Sequence, residues 1–406
     1  MKNVPRLKVL TTIYMAFWSL IIGAATAAYL DLINWVIDFF WKDIPAWLSI
    51  PSAWRPLAIC MPLSIVIGLS QKYVGAYPLT IAQVLDEVKI TGHFDYHRWK
   101  QIIYSGLLIL GAGASVGPEA SASGLVAGMI YWLGCHYKVI QAQREELATA
   151  TFRRQLRVIW FTRLSTYQVD RPITDFFRSK RTKQAFYFAY TLVAFIGLVI
   201  FFKFFPQEGV IGFHHPAINW EWGGLLVVIP ALAVGWLFGF IFVKISKASE
   251  RWIDRGKHTV MKAVLGGLVL VAAAAFSTDC LYSGEFSIVP FAHRSLQMAP
   301  LFLITFALVK AIITNVGFAL GWRGGTIFPA IFSTLAVGAC LAHYLPWMPR
   351  LTASLVVATG ITVILERPLL TAIILWLLLP IQFAVFILLV CLLTNWVLKR
   401  VPVLKP

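Results

Sequence analysis

Long continuous apolar runs constrain the fold of this chain more than any other feature. They lie at about 9–29, 56–71, 101–116, 119–134, 184–205, 223–243, 259–276, 299–320, 326–345, 352–365 and 369–398. A helix needs about 20 apolar residues to cross a bilayer, and several of these runs are shorter. The residues do not alternate, which excludes a transmembrane β-barrel. We therefore predict an all-α polytopic membrane protein with broken, tilted helices, because interrupted helices are tolerated at membrane depth only where protein surrounds them.

The distribution of charge predicts the topology. The chain is 59% hydrophobic and only 13% charged, so its net charge of +17 does not indicate a soluble nucleic-acid-binding protein. The basic excess is confined to 1–8, 138–183, 244–262 and 399–406. Lys and Arg in short loops mark the cytoplasmic side, so we expect both termini in the cytoplasm and no nucleic-acid partner.

The middle of the chain predicts two inverted halves. Segment 206–222 contains no Lys or Arg and is expected outside. Each half, 8–205 and 223–398, then crosses the membrane an odd number of times and has the opposite orientation, as in many transporters. A shift of 208 residues carries Gly117 onto Gly325. Since the chain ends soon after the last apolar run, we expect no C-terminal regulatory domain.

Three interrupted segments are candidates for an ion site. They are 74–78, 115–121 and 324–329, and each has glycine and proline near a predicted helix start. The first N–H groups of a helix lack internal partners and, with the helix dipole, attract anions. We expect three such ends to hold a small inorganic anion at mid-membrane without any cofactor. The residues of these breaks that we assign to the anion site include Gly75, Ala76, Tyr77 and Gly325.

Glu119 is the most informative single residue. A carboxylate in an apolar stretch is costly and indicates function. At a helix N-terminus it would bind the same N–H groups as the substrate anion, so we predict that it is the gate. Protonation or displacement of the carboxyl would open the path. The alternative is a first-turn acid that merely complements the helix dipole.

The remaining polar residues do not indicate catalysis. The five cysteines are scattered without a CxxC pair, and no nucleotide-binding, zinc-protease or Ser/His/Asp pattern is present, so we expect neither an enzyme nor a metal site. His214 and His215 are interpreted as solvated loop residues, with a metal or pH site as the alternative. Lys310 and Arg323 are expected near span ends, where they extend toward the interface or attract anions.

The chain resembles the CLC family of chloride channels and chloride/proton antiporters from about residue 8 to 398. The resemblance is strongest at GASVGPEAS (113–121), GGTIFPAI (324–331) and ATGITVILERPLLTAII (358–374). It implies a CLC-like inverted-topology repeat that moves a small inorganic anion, most simply chloride. Glu119 would be the external gating glutamate. The N–H groups implied to coordinate the anion are those of Glu119, Ala120, Thr326 and Ile327.

Several positions depart from the family pattern. Gly75 stands where a coordinating serine is expected, Pro118 replaces a basic residue, and Ile327 replaces phenylalanine. The helix that carries the family's coordinating tyrosine has no counterpart before the chain ends. We therefore expect a looser, wetter site. Fluoride or nitrate is an alternative substrate, and a non-conducting CLC-like membrane scaffold is an alternative function.

Proton coupling and assembly stay open at the level of sequence. The family's antiporters have a second, internal glutamate, and Val169 falls at its position with Asp170 beside it. Asp170 is either a proton relay or an ordinary loop acid. The family is dimeric, but four arginines in 147–165 would oppose close helix packing at that surface, so a homodimer is one option and binding of anionic lipid headgroups is another. The expected location is a bacterial inner membrane.

Overall fold

The computed structural model of the chain describes residues 4–162, 164, 172–206, 214–253, 258–285, 287–345 and 347–401. Over these residues it contains seventeen α-helices and two isolated β-bridges. The helices are α1 Val4–Asp38, α2 Ile44–Trp47, α3 Arg55–Tyr73, α4 Ile81–Thr91, α5 Trp99–Gly111, α6 Glu119–Ala142, α7 Arg144–Thr149, α8 Phe152–Phe161, α9 Lys180–Phe204, α10 Val228–Trp252, α11 Thr259–Phe276, α12 Ile288–Ser295, α13 Pro300–Ala319, α14 Ile327–Tyr344, α15 Pro349–Leu365, α16 Pro368–Trp376 and α17 Ala384–Arg400.

The helices have the lengths of a polytopic membrane protein. Eight helical stretches within the described residues are long and apolar enough to span a bilayer. Others are too short to do so, such as α5 with 13 residues and α16 with 9. The predicted all-α polytopic class is therefore confirmed, and the chain is an integral membrane protein.

The chain divides into two compact units that alternate along the sequence. The first comprises Met1–Trp35, Pro78–Tyr104 and Ala120–Gln207, and the second comprises the remaining segments. The division into inverted halves at 8–205 and 223–398 is a different one, and it stays a prediction.

The first unit is built around the N-terminal helix. Leu7, Tyr14 and Ile22 of α1 are buried in one apolar cluster with side chains of α6, α7 and α8. Tyr14 also packs edge-on against Trp160, with ring centroids 5.1 Å apart. The basic residues of α8 point away from this core, because Gln155 and Ile159 form its buried face.

The second unit is built around α14, which is buried along most of its length. The helices α10, α13 and α15 pack around it. Proline begins α13, α15 and α16, where its missing N–H costs nothing. An apolar helix enclosed on all sides can end inside the unit, and this positions the N-terminus of α14 for the contacts described next.

Candidate functional site

Two glycine loops of the second unit meet directly in front of two helices. Gly117 N donates to Gly325 O at 2.7 Å, and Gly325 N donates to Gly117 O at 2.9 Å. Gly117 lies two residues before the start of α6, and Gly325 lies two residues before the start of α14. The pairing therefore brings two of the three predicted helix ends together.

The carboxyl of Glu119 lies on the N-terminus of α14. Its Oε1 accepts hydrogen bonds from Ile327 N at 2.8 Å and from Phe328 N at 3.3 Å. These are first-turn amides, which have no acceptor within the helix. Glu119 Oε2 is buried and has no hydrogen-bond partner in the described part of the chain. The carboxyl thus occupies a place where a free anion would find the same donors.

Both glycines of the pair are required by this carboxyl. A Cβ added at Gly117 or at Gly325 would overlap the carboxyl group of Glu119. Any larger residue would therefore displace either the side chain or the loop. Glycine is thus needed at both positions because the backbone there lies in direct contact with the Glu119 carboxyl.

Neighbouring side chains of the second unit fix the two loops. Ser115 Oγ and Thr314 Oγ1 lie 3.0 Å apart, and both residues are buried. Trp322 is almost fully buried and donates from Nε1 to Ala263 O at 2.8 Å. One contact ties the loop before α6 to α13, and the other ties the loop before α14 to α11.

Glu285 is a second buried carboxyl that the sequence reasoning missed. Its N–H donates to Ser283 Oγ at 3.4 Å, and it lies near enough to Glu119 for the two charges to interact. The signal in the sequence was an acid beside a glycine break, LYSGEF, in a chain with few acids. Its position near Glu119 depends on contacts between distant segments.

Lys310 fixes the segment that precedes Glu285. The side chain is fully buried in α13, and Nζ is 2.5–3.1 Å from the backbone oxygens of residues 279–282. An ammonium has three N–H donors, so these four acceptors share them. The expectation that Lys310 extends toward the interface is therefore wrong, because carbonyl oxygens inside the protein replace water around it.

The other predicted residues have varied environments. Ala120 is buried and follows Glu119 in α6. Thr326 precedes α14, and its carbonyl accepts a hydrogen bond from Ala330 N at 3.1 Å.

The Gly75–Tyr77 loop forms its own local contacts. Tyr77 O accepts from Gln71 Nε2 at 3.0 Å. Gly75 has a φ of +111°, which glycine adopts without strain.

Ala76 lies in a different setting from the carboxyl of Glu119. It lines a cavity of about 220 Å³ together with Lys262 and Arg323. Arg323 directly precedes the Gly324–Gly325 pair, so this cavity connects the Gly75–Tyr77 loop with the start of the α14 loop. The assignment of Gly75, Ala76 and Tyr77 to an anion site stays a prediction.

Three further predicted residues are Asp170, His214 and His215. Asp170 lies outside the described residues. His214 and His215 line a cavity of about 400 Å³ with His293 and Arg350, and among the described residues no group of three potential metal ligands is suitably placed.

Comparison with known proteins gives a consistent set of similarities. A family model described as "Voltage gated chloride channel" matches residues 178–399, which is more than half of the chain. Comparison with curated proteins yields no match.

Three solved structures share the fold at low identity. A CLC-type fluoride/proton antiporter is 16% identical, with 95% of each chain covered and a TM-score of 0.68. A slow cyanobacterial Cl⁻/H⁺ antiporter is 18% identical, with 98% of this chain and 95% of that chain covered and a TM-score of 0.70. A eukaryotic CLC transporter is 14% identical, with 97% of this chain and 72% of that chain covered and a TM-score of 0.66.

Proposed function

Because the chain belongs to the voltage-gated chloride channel (CLC) family, we propose that it moves a small inorganic anion, most simply chloride, across a membrane past a gate formed by Glu119. Membership of this family supports anion transport and gives no support to an enzymatic role. Family membership does not determine which anion is moved or what Glu119 does. These two parts of the proposal are argued from the geometry of the site.

One observation carries the proposal: the Glu119 carboxyl binds the N-terminus of α14. Ile327 and Phe328 donate to it with N–H groups that would otherwise be free. A helix N-terminus binds an anion without any buried Lys or Arg, and such moderate binding lets the ion leave again. Carboxylate and substrate anion therefore compete for one position.

The second oxygen of the carboxyl supports the role of a gate. Glu119 Oε2 is buried without a hydrogen-bond partner among the described residues. An ionised oxygen that is neither solvated nor bonded is costly. Hydrogen bonds thus stabilise Oε1, whereas burial without a partner destabilises Oε2. A proton or a competing anion can therefore release the carboxyl.

The offset between the two loops supports the inverted-repeat part of the proposal. Gly117 and Gly325 differ by 208 positions, and so do Glu119 and Ile327, which are also hydrogen-bonded. Contacts between equivalent positions are expected next to a pseudo-two-fold axis. Halves at about 8–205 and 223–398 would place such an axis through the glycine pair.

Fluoride and nitrate are the alternative substrates within the same function. Gly75 lacks the hydroxyl that the family pattern would supply, and one structure of similar fold is described as a fluoride/proton antiporter. A non-conducting scaffold is the alternative from another class. The close fit of Glu119 between the paired glycines favours a gate over a scaffold, since a scaffold has no need for it.

Coupling to protons needs a second titratable group close to the gate. We assign Glu285 to this role ahead of Asp170, because Glu285 is buried and interacts electrostatically with Glu119. A proton released by Glu119 would then have a second buried carboxyl as its acceptor.

The proposed orientation of the chain in the membrane rests on its basic stretches. The basic stretches 1–8 and 399–406 support cytoplasmic termini in a bacterial inner membrane. A homodimer is the family-like assembly, and α9 offers a largely exposed apolar surface for it.

Flux from liposomes tests the proposal. Purified protein is reconstituted, and efflux of chloride, fluoride and nitrate is recorded together with proton uptake. We expect selective anion efflux that changes in Glu119→Gln and is unchanged in Glu145→Gln, an exposed acid of α7. Absence of efflux for all three anions would support the scaffold, and proton uptake with the anion would distinguish antiporter from channel.

A further inference from the structure

The first unit contains a basic cavity that the proposed transport path does not use. It has a volume of about 390 Å³ and lies between the first turns of α1, the end of α6 and the start of α9. Lys8, Arg144 and Arg178 line it, and none of the described lining residues is acidic. Three cations around one cavity attract an anionic group.

These three cations are accessible to a ligand. None of them forms an ion pair with a carboxylate in the described ranges, and each is exposed at the cavity mouth. The nearby acid Glu146 is engaged by Arg154 of α8 instead. The cavity is therefore a basic pocket without an internal counter-ion among the described residues.

An apolar cavity of about 260 Å³ adjoins the basic one. Both are lined by Tyr137, Phe186 and Tyr190, so they share a wall. The apolar cavity continues between side chains of α1, α6 and α9, including Met15 and Leu133. It would accept a hydrocarbon group and would repel an ion.

The two cavities follow one another in the same order along two helices. On α1 the basic cavity uses Val4 to Thr12, and the apolar cavity uses Met15 to Thr26. On α9 the basic cavity includes Thr182, and the apolar cavity extends to Leu198. From Lys8 to Thr26 the helix rises about 27 Å at 1.5 Å per residue, which is enough for a lipid headgroup and most of one acyl chain.

We propose that the two cavities together bind one anionic phospholipid, with its phosphate between Lys8, Arg144 and Arg178 and an acyl chain in the apolar cavity. The lipid is favoured over free phosphate because the basic cavity adjoins an apolar one. The basic stretches 1–8 and 138–183 assign the headgroup to the cytoplasmic leaflet by the positive-inside rule.

The exposed surface of α9 supports access from the bilayer. Phe188 and Phe195 are 66% and 54% exposed, so this helix has an apolar face that no described residue of its own unit covers. Phe195 also lines the apolar cavity, so this cavity borders the exposed face of α9.

Native mass spectrometry of the full chain tests the site. The protein is released from mixed micelles that contain phosphatidylglycerol and phosphatidylcholine with the same acyl chains. We expect one retained phosphatidylglycerol per chain, and we expect glycerol phosphate at equal concentration to leave it bound. Equal retention of both lipids, or displacement by glycerol phosphate, would overturn the proposal.

Variants separate this site from general surface charge. Arg144→Gln/Arg178→Gln should weaken retention of phosphatidylglycerol about 25-fold, because each basic residue near an anionic headgroup contributes about 1 kcal/mol, or about fivefold. Arg153→Gln/Arg157→Gln removes the same charge from the exposed face of α8 and should leave retention unchanged. Thr191→Trp narrows the apolar cavity and should weaken retention, with Thr191→Ala as its control.

The pattern of losses decides the outcome. Loss in the first double variant and in Thr191→Trp, with retention in the two controls, supports the site. A larger loss in Arg153→Gln/Arg157→Gln would move headgroup binding to α8 and overturn the proposal. Should a variant unfold, the competition between the two lipids on the unmodified chain still decides for or against the site.

Discussion

Replacing Glu119 with glutamine should make the protein bind its substrate anion more tightly. The side chain keeps its shape and its Oε1 acceptor, but it loses its charge. The first-turn amides Ile327 N and Phe328 N, 2.8 and 3.3 Å from Oε1, then hold it less strongly. The uncharged glutamine side chain is therefore a weaker competitor of the free anion for these donors.

The magnitude follows from the two hydrogen bonds and the helix dipole. A hydrogen bond to a charged acceptor contributes about 1.5–3 kcal/mol, and a neutral one about 0.5–1.5 kcal/mol, so the substitution loses about 1 kcal/mol per bond. The dipole adds about 0.3–1 kcal/mol for a charge at a helix N-terminus. Together these give about 2–3 kcal/mol, or a factor of about 30–150 in chloride affinity.

Isothermal titration of the purified protein with chloride measures this change. Glu145→Gln removes an exposed charge and serves as the matched control, with affinity expected within twofold of the original. An affinity of Glu119→Gln that equals or falls below that of the original protein would refute the idea that carboxyl and anion share one position. Repeating the titration with fluoride shows whether the site distinguishes the two halides.

Three further changes should have distinct effects. Gly325→Ala places a methyl group in the space of the Glu119 carboxyl and should lower chloride affinity at least tenfold in the same titration, because carboxyl and anion are both displaced. Lys310→Met leaves the carbonyls of residues 279–282 without their donor and should cost about 3 kcal/mol or more in unfolding free energy, seen as a lower Tm. Glu285→Gln should lower the ratio of protons to anions moved severalfold, measured in liposomes, while chloride affinity stays within twofold.

Each of these changes has a control and a contrary result. Gly317→Ala adds the same methyl where the nearest neighbouring atom is 3.9 Å away, and equal losses in both variants would mean that the loss is unspecific. Lys89→Met removes an exposed lysine of α4, and an equal Tm in both lysine variants would argue against the carbonyl contacts. An unchanged proton ratio in Glu285→Gln would exclude it from coupling.

Local sequence signals predicted the helix starts at the candidate site. Glycine and proline in SVGPE and GGTIFP indicated where α6 and α14 begin, and the structure has them at Glu119 and Ile327. The break near Gly75 was predicted less well: Pro78 lies before α4, which Thr80 begins with a capping box. Signals of this kind work because caps and turns depend on neighbouring residues.

The contacts between distant segments could not be read in the same way. Hydropathy marks Lys310 as unusual, but only the packing of α13 against residues 279–282 determines whether carbonyls or water surround it. Glu285 received no role from the sequence, because its nearness to Glu119 depends on segments 166 residues apart in the chain. The equal offset between glycines was visible, yet their direct hydrogen bonding was not.

The paired backbone of Gly117 and Gly325 also bears on the speed of transport. Separating these loops would break two backbone hydrogen bonds in surroundings with little water, where each is worth about 4–6 kcal/mol. Rotation of a side chain needs no such rupture and is intrinsically a fast motion, on the ps–ns scale when unhindered. We therefore expect the main chain to stay closed during turnover, and the side chain of Glu119 alone to move as an ion passes.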